Sequence, residues 1–149
     1  MPIALLIDPD DEDTEVRTLF GECRGEPLVG QQAVAWVIRN RSEWQPAAWW
    51  GNAIGIVCLR HAQFSCWSEA DWNATNLAQM KALKVDDAMY KKLLSVVRDV
   101  NDGVVPDVTG GATHYKVRGT PATWDKEVQA RGLHPTSIGH HDFYRLGPS

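Results

Sequence analysis

The chain contains few cysteines and no long hydrophobic run. Its three cysteines, Cys23, Cys58 and Cys66, include no Cys-x-x-Cys pair, which argues against a disulfide framework or a zinc ribbon. No apolar stretch reaches the ~18 residues of a membrane-spanning helix, so we expect no stable membrane anchoring. The apolar residues at the start of the chain are not preceded by basic ones, and we therefore expect no secretory signal peptide.

Positive charge is also scarce. The chain has 15 basic and 19 acidic residues, and its acids are concentrated near the N-terminus, which leaves the rest slightly basic. No basic run has interleaved aromatic residues, so we expect no nucleic-acid partner. A glycine-rich phosphate loop and a Gly-x-Ser-x-Gly nucleophile turn are both missing from the sequence, which disfavours nucleotide binding and serine hydrolase chemistry.

The length of 149 residues and a hydrophobic content of 44% are those of one globular domain. We therefore predict a single domain over residues 1–149, in which residues 1–12 form an acidic N-terminal extension. Hydrophobic periodicity and capping residues predict helices over 10–23, 29–41, 52–59, 86–101 and 123–130. Alternation predicts strands over 112–117 and 138–146. The predicted fold class is α+β, mainly helical, with a small β element.

A pair of glutamates stands out at the end of the first predicted helix. Glu22 and Glu26 lie in the segment GECRGEP of residues 21–27. The C-terminal end of a helix carries partial negative charge, which disfavours an ionised carboxylate and favours the protonated form that a general acid needs. Because Gly25 and Pro27 interrupt the helix, we expect the two glutamates not to share one helix face. A surface cluster of Glu and Arg that merely ends the helix is the alternative.

Two other interpretations remain open on the residues alone. The first is a zinc amidase or peptidase, since four of the five histidines fall in the last 36 residues with three aspartates nearby: His114, His134, His140, His141, Asp107, Asp125 and Asp142. No His-Glu-x-x-His or comparable spacing supports it. The second is a non-catalytic glycan-binding module that uses exposed members of the seven tryptophans.

Five ordered motifs resemble the SleB-type cell-wall hydrolases, a family that includes the catalytic domains of spore-cortex-lytic enzymes and many phage endolysins. The motifs are LFGECRGEP (residues 19–27) followed by GQQAVA (30–35) and Asn40-Arg41; QFS (63–65) with Trp67; GATHY (111–115); Trp124; and GHHDFYR (139–145). Two positions depart from the family pattern. Cys23 replaces the usual alanine, and Lys116 stands where a histidine often follows the tyrosine.

The resemblance implies a lysozyme-like fold that cleaves the glycan strands of peptidoglycan, without metal or cofactor. It implies that Glu22 is the catalytic acid and that Glu26 is a candidate supporting residue. By the same comparison, five residues are expected to bind substrate: Gln63, Phe64, Ser65, His114 and Tyr115.

Apart from Glu26, the segments matched to the cleft contain no second acid. The resemblance therefore points to a lytic transglycosylase, which forms 1,6-anhydro-N-acetylmuramic acid ends. A water-using muramidase is the alternative. We further expect a monomeric endolysin that is made in the bacterial host cytoplasm and acts on peptidoglycan in the periplasm or cell wall.

Overall fold

The structure, a computed structural model, describes residues 7–44, 49–51, 53–60 and 64–148. Its α-helices are α1 (Pro9–Cys23), α2 (Leu28–Ser42), α3 (Ile54–Leu59), α4 (Ala74–Ala82), α5 (Ala88–Asn101) and α6 (Asp125–Ala130). Two short 3₁₀ segments, Ser65–Trp67 and Asp71–Asn73, lie between α3 and α4. The strands are β1 (His114–Val117), β2 (Thr136–Ile138) and β3 (His141–Tyr144).

Local sequence signals set the ends of helices α1 and α5. The Asp8 side chain accepts a hydrogen bond from the backbone N–H of Asp10 and caps α1, and Asp87 caps α5 in the same way through Met89. Acidic residues in the first turn of α1 interact favourably with the partial positive charge at the N-terminal end of the helix. Gly103, at φ +73°, follows the end of α5 as a left-handed residue.

The core is built around α1, which packs against α2, α3, α4 and α5. Apolar side chains from each helix are fully buried there, among them Leu19, Val34, Val57 and Leu93. Helix α1 ends at the surface, immediately before the Glu26 loop. The core therefore fixes the position of the helix end that carries Glu22.

The sheet is antiparallel, with strand order β1-β3-β2 and β3 in the centre. Tyr115 of β1 faces Phe143 of β3, and their rings stack at 5.5 Å between centroids. The strand predicted over 138–146 is present as β3 but is shorter, and the separate strand β2 before it was not predicted. The chain turns at Gly139, whose φ of +57° is the left-handed conformation, and the segment forms a hairpin of β2 and β3.

Helix α2 is attached to the sheet region at both of its ends. Near its C-terminus, Arg41 donates from Nε to the carbonyl of Thr113 at 2.7 Å, and Asn40 donates to the carbonyl of Ala112 at 3.0 Å. Just before its N-terminus, Glu26 accepts hydrogen bonds from His140 in the β2–β3 turn. These contacts fix the sheet relative to the end of α1.

The other predicted elements agree with the structure within a few residues, and the α+β, mainly helical fold class is confirmed. Position 52, in the predicted third helix, lies outside the described residues. Helix α4 was not predicted. Residues 9–12 of the expected extension form the first turn of α1, where Glu12 pairs with Arg98 of α5. In the described parts of the chain, no helix combines the length and the apolar character that crossing a membrane requires.

Candidate active site

A cleft of about 590 Å³ lies between the end of α1, the two 3₁₀ segments and strand β1. Its walls come from residues far apart in the sequence and include polar, charged and aromatic side chains. The lining residues include Glu22, Arg41, Cys66, Trp72, His114 and Tyr115. Among the described residues that line this cleft, Glu22 is the one carboxylate.

Both carboxylate oxygens of Glu22 accept hydrogen bonds. The Tyr115 hydroxyl donates a short hydrogen bond to Oε1, and the backbone N–H of Cys66 donates to Oε2 at 3.1 Å. The close approach of the Cys66 loop depends on Gly21, because a Cβ at that position would lie 2.7 Å from the Cys66 Cβ. The Gly-Glu pair in the sequence thus places the carboxylate and makes room for one of its donors.

The Tyr115 side chain is held from two sides. Its ring stacks on Phe143 and meets the edge of His141 at 5.1 Å between centroids. Burial, together with the neighbouring Glu22 charge, raises the pKa of the Tyr115 hydroxyl well above its usual value of 10. The hydroxyl therefore keeps its proton at neutral pH and acts as a donor to Glu22.

A cation and a neutral histidine complete this side of the cleft. Burial lowers the pKa of Arg41 to about 10, which still leaves the guanidinium charged at neutral pH, and Glu22 and Tyr115 oppose that shift. Burial and the Arg41 charge lower the pKa of His114 to about 4, so this imidazole is neutral. The His114 ring makes edge contacts with Trp50 and Trp124.

Glu26 belongs to a separate cluster. Its side chain is buried, and it accepts hydrogen bonds from the backbone N–H and the ring Nδ1 of His140. The Nδ1 atom of His141 lies 2.8 Å from Oε1, the Glu26 oxygen that also accepts the His140 N–H. Burial raises the pKa of Glu26, but the bonds from His140 and the charges of both histidines outweigh this and leave it below its ordinary value. As expected from Gly25 and Pro27, Glu26 lies beyond the end of α1 and the two glutamates do not share a helix face, although both line a second pocket of about 430 Å³ beside His140 and His141.

The other predicted binding residues differ in their position relative to the cleft. Ser65, His114 and Tyr115 line the cleft. Phe64 is buried, and its ring lies under the Arg41 guanidinium at 5.1 Å, outside the cleft lining in the described part of the chain. Gln63 lies outside the described residues, and its role stays a prediction.

Several cleft residues were not predicted. Cys66 acts through its backbone N–H, which no side-chain pattern reveals, and Arg41 was noted only as the end of a motif. Trp72 lines the cleft with 71% of its surface exposed. The signal that could have found it is the unusually high tryptophan content.

The histidines proposed as zinc ligands are dispersed. His114 lies in the cleft between tryptophans, His140 and His141 contact Glu26, and His134 is exposed. Within residues 7–44, 49–51, 53–60 and 64–148, no group of three or more His, Cys, Asp or Glu side chains is arranged to hold a metal ion.

The cleft thus contains one carboxylate that accepts two hydrogen bonds, in a mainly helical fold. The sequence of the chain also matches a known family. The model of the Cell Wall Hydrolase family matches residues 25–144, and this chain belongs to that family. The prediction of a cell-wall lytic enzyme is thereby confirmed. No curated protein gives a significant sequence match.

Two solved structures share the fold over nearly the full length of the chain. The catalytic domain of the Bacillus cereus SleB protein is 24% identical, with a TM-score of 0.64, and the match covers 95% of this chain and 94% of that one. The catalytic domain of the germination-specific lytic transglycosylase SleB from Bacillus anthracis is 23% identical, with a TM-score of 0.66, covering 97% and 99%. The predicted SleB-type family is confirmed.

Proposed function

We propose that this enzyme cleaves the glycosidic bond between N-acetylmuramic acid and N-acetylglucosamine, and that it does so as a lytic transglycosylase. The observation that carries the proposal is the single carboxylate, Glu22, among the described residues of the cleft. The similar Bacillus anthracis domain belongs to a lytic transglycosylase, and this similarity supports the same reaction class.

In the proposed reaction, Glu22 acts first as an acid and then as a base. Its carboxyl group donates a proton to the oxygen that bridges the two sugars, and the bond from that oxygen to the anomeric carbon breaks. The C6 hydroxyl of the same muramic acid attacks the anomeric carbon and closes a 1,6-anhydro ring. The Glu22 carboxylate takes the proton that this hydroxyl loses, so the residue is restored and no water is consumed.

The hydrogen bonds to Glu22 support this double role. Tyr115 and the Cys66 N–H stabilise the carboxylate that remains after the first proton transfer and hold its orientation for the second. The charged Arg41 adds to this stabilisation. The neutral His114 and its tryptophan neighbours provide an uncharged wall that suits an N-acetylated sugar.

Glu26 is proposed as a supporting residue. Classical glycosidases need a second carboxylate about 5–9.5 Å from the first, facing the same substrate. Glu26 is instead buried against His140 and His141. Through His141, which packs on the edge of Tyr115, it holds the donor that orients Glu22.

Product analysis tests the proposal. Purified peptidoglycan treated with the enzyme should give muropeptides with 1,6-anhydro ends, which mass spectrometry finds one water lighter than reducing ends. Predominantly reducible muramic ends would show a hydrolysing muramidase instead. Loss of activity with a chelator and recovery with zinc would favour the amidase alternative.

Two matched variants test the residue roles. Glu22→Gln should abolish product release while circular dichroism shows an intact fold. Glu26→Gln should keep measurable activity, because in the proposal Glu26 does not touch substrate. Full activity of Glu22→Gln would overturn the assignment, and equal loss in both variants would give Glu26 a catalytic role.

We also propose that the enzyme acts as a monomeric endolysin, made in the host cytoplasm and active on the wall once the inner membrane is breached. Expression in a bacterial host should leave the culture intact until a membrane-permeabilising agent is added, and turbidity should then fall. Lysis on expression alone would contradict this setting. Gel filtration tests the monomer.

A further inference from the structure

Most tryptophans of this chain have a packing role. Trp36 and Trp50 are buried, Trp67 donates from Nε1 to the Thr18 hydroxyl at 2.9 Å, and Trp44 and Trp124 contact other aromatic rings. The exposed members are Trp49, at 50%, and Trp72, at 71%. These two have no comparable contribution to the core.

Trp72 differs from Trp49 in its position. It lines the cleft that contains Glu22, whereas Trp49 is not part of that lining in the described portion of the chain. Within the described ranges, no hydrogen bond or ring contact involves the Trp72 indole, so most of its apolar surface stays accessible at the edge of the cleft.

The backbone at Trp72 is joined by hydrogen bonds to the loop of Cys66, which contacts Glu22. The neighbouring Asn73 is buried, and its side-chain amide donates to the carbonyls of Cys66 at 2.7 Å and Ser68 at 2.8 Å. Cys66 in turn donates its N–H to Glu22. The backbone position of Trp72 is thus fixed relative to Glu22 by Asn73 and Cys66.

We propose that Trp72 is a stacking platform for a pyranose ring of the bound glycan strand, at a position apart from the bond that Glu22 cleaves. The inference rests on the proposed function, because it assumes that a glycan occupies this cleft. A flat indole face matches the apolar C–H face of an N-acetylated hexose, and the anchored backbone keeps this face beside the cleft. Trp72 therefore contributes binding to the substrate and to the transition state alike.

The test compares Trp72→Ala, Trp72→Phe and Trp49→Ala on soluble glycan strands prepared from peptidoglycan by removing the stem peptides. Trp72→Ala should raise KM about tenfold or more and leave kcat within about twofold, as loss of uniform binding does. Trp72→Phe should recover most of the affinity, because it keeps an aromatic face. Trp49→Ala removes an equally large exposed ring and should match the unsubstituted enzyme.

Binding without turnover gives a second readout. In a Glu22→Gln background, Trp72→Ala should lower retention on purified cell-wall sacculi, and Trp49→Ala should not. If the unsubstituted enzyme cleaves glycan strands but Trp72→Ala and Trp49→Ala behave alike, the platform is refuted and the proposed function stands. If the unsubstituted enzyme releases no sugar product, the proposed function itself fails. Because 71% of the Trp72 surface is exposed, we expect its truncation to leave the fold intact.

Discussion

Replacement of the buried Glu15 by glutamine should remove a large part of the pH dependence of stability. Glu15 lies in α1, is fully buried, and accepts one hydrogen bond, from the Asn101 amide at 2.9 Å. Its other oxygen has no hydrogen-bond partner among the described residues. Burial raises the pKa of Glu15 from 4.5 to about 8, with Asn101 and Arg39 opposing the shift and the Glu12 charge adding to it.

The sign of the effect follows from which state holds the proton. Between about pH 4.5 and 8, the folded protein keeps Glu15 protonated while the unfolded chain releases the proton. The free energy of unfolding therefore falls as pH rises through this range, by up to about 1.4 kcal/mol per pH unit. Between pH 5 and 8 the loss due to Glu15 has an upper limit of about 4 kcal/mol.

Glu15→Gln cannot ionise and should lack this contribution. Urea unfolding, followed by tryptophan fluorescence at constant ionic strength, should show similar stability for the two proteins at pH 5 and a more stable variant at pH 8. Glu127→Gln, in the half-exposed Glu127–Arg131 pair of α6, is the control and should run parallel to the unsubstituted protein. Parallel pH dependences for Glu15→Gln and the unsubstituted protein would refute the reasoning.

Three further predictions concern the groups around the acid. Tyr115→Phe removes a hydrogen-bond donor to the Glu22 carboxylate and should lower kcat about 10- to 100-fold; an unchanged kcat would contradict a role for this contact. Glu26→Gln should lower the free energy of unfolding by about 1–3 kcal/mol at pH 6. That difference should shrink as pH falls below about 4.5, where unfolded-state Glu is protonated, and urea unfolding across pH 3–6 checks it. Gly139→Ala should lower the melting temperature more than Gly110→Ala, since both alter a positive-φ glycine but only at Gly139 would the new Cβ lie 2.8 Å from the Glu26 carboxylate; equal shifts would show that backbone strain alone is measured.

Local sequence signals were sufficient to predict an element when its bounds depend on residues within or next to that element. The capped, acidic start of α1 and the apolar stripe of α5 gave bounds that agree with the structure within two residues. Helix α4 has no side-chain cap hydrogen bond, and only Leu77 and Met80 are buried in it, so its sequence has too little periodicity to show the helix. The β2–β3 hairpin was missed because a single glycine makes the turn inside an otherwise continuous β-like stretch.

The site also combines features that local sequence signals predict with features that they do not. Glu22 was predicted as the acid from its place at the end of one helix, and the structure places it in the lining of the cleft. Its two donors come from 44 and 93 residues further along the sequence, and one of them is a backbone amide. Phe64, expected at the substrate, is buried under Arg41. These relations exist only after the helices and the sheet have packed together.

In the proposed mechanism, one short motif supplies both the acid, Glu22, and its supporting residue, Glu26, because the two side chains lie on different structural elements. Glu22 ends α1 and faces the cleft, whereas Glu26 precedes α2 and faces the β2–β3 turn. Glu26, whose contact with His140 fixes the sheet, lies four positions after Glu22 in the sequence. Tyr115 of the same sheet donates a hydrogen bond to Glu22. The contacts of Glu26 with His141, and of His141 with Tyr115, connect Glu26 to the donor of the proposed acid. In the proposed mechanism, a moderate loss of activity in Glu26→Gln would therefore follow from these contacts, without a second carboxylate among the described lining residues of the cleft.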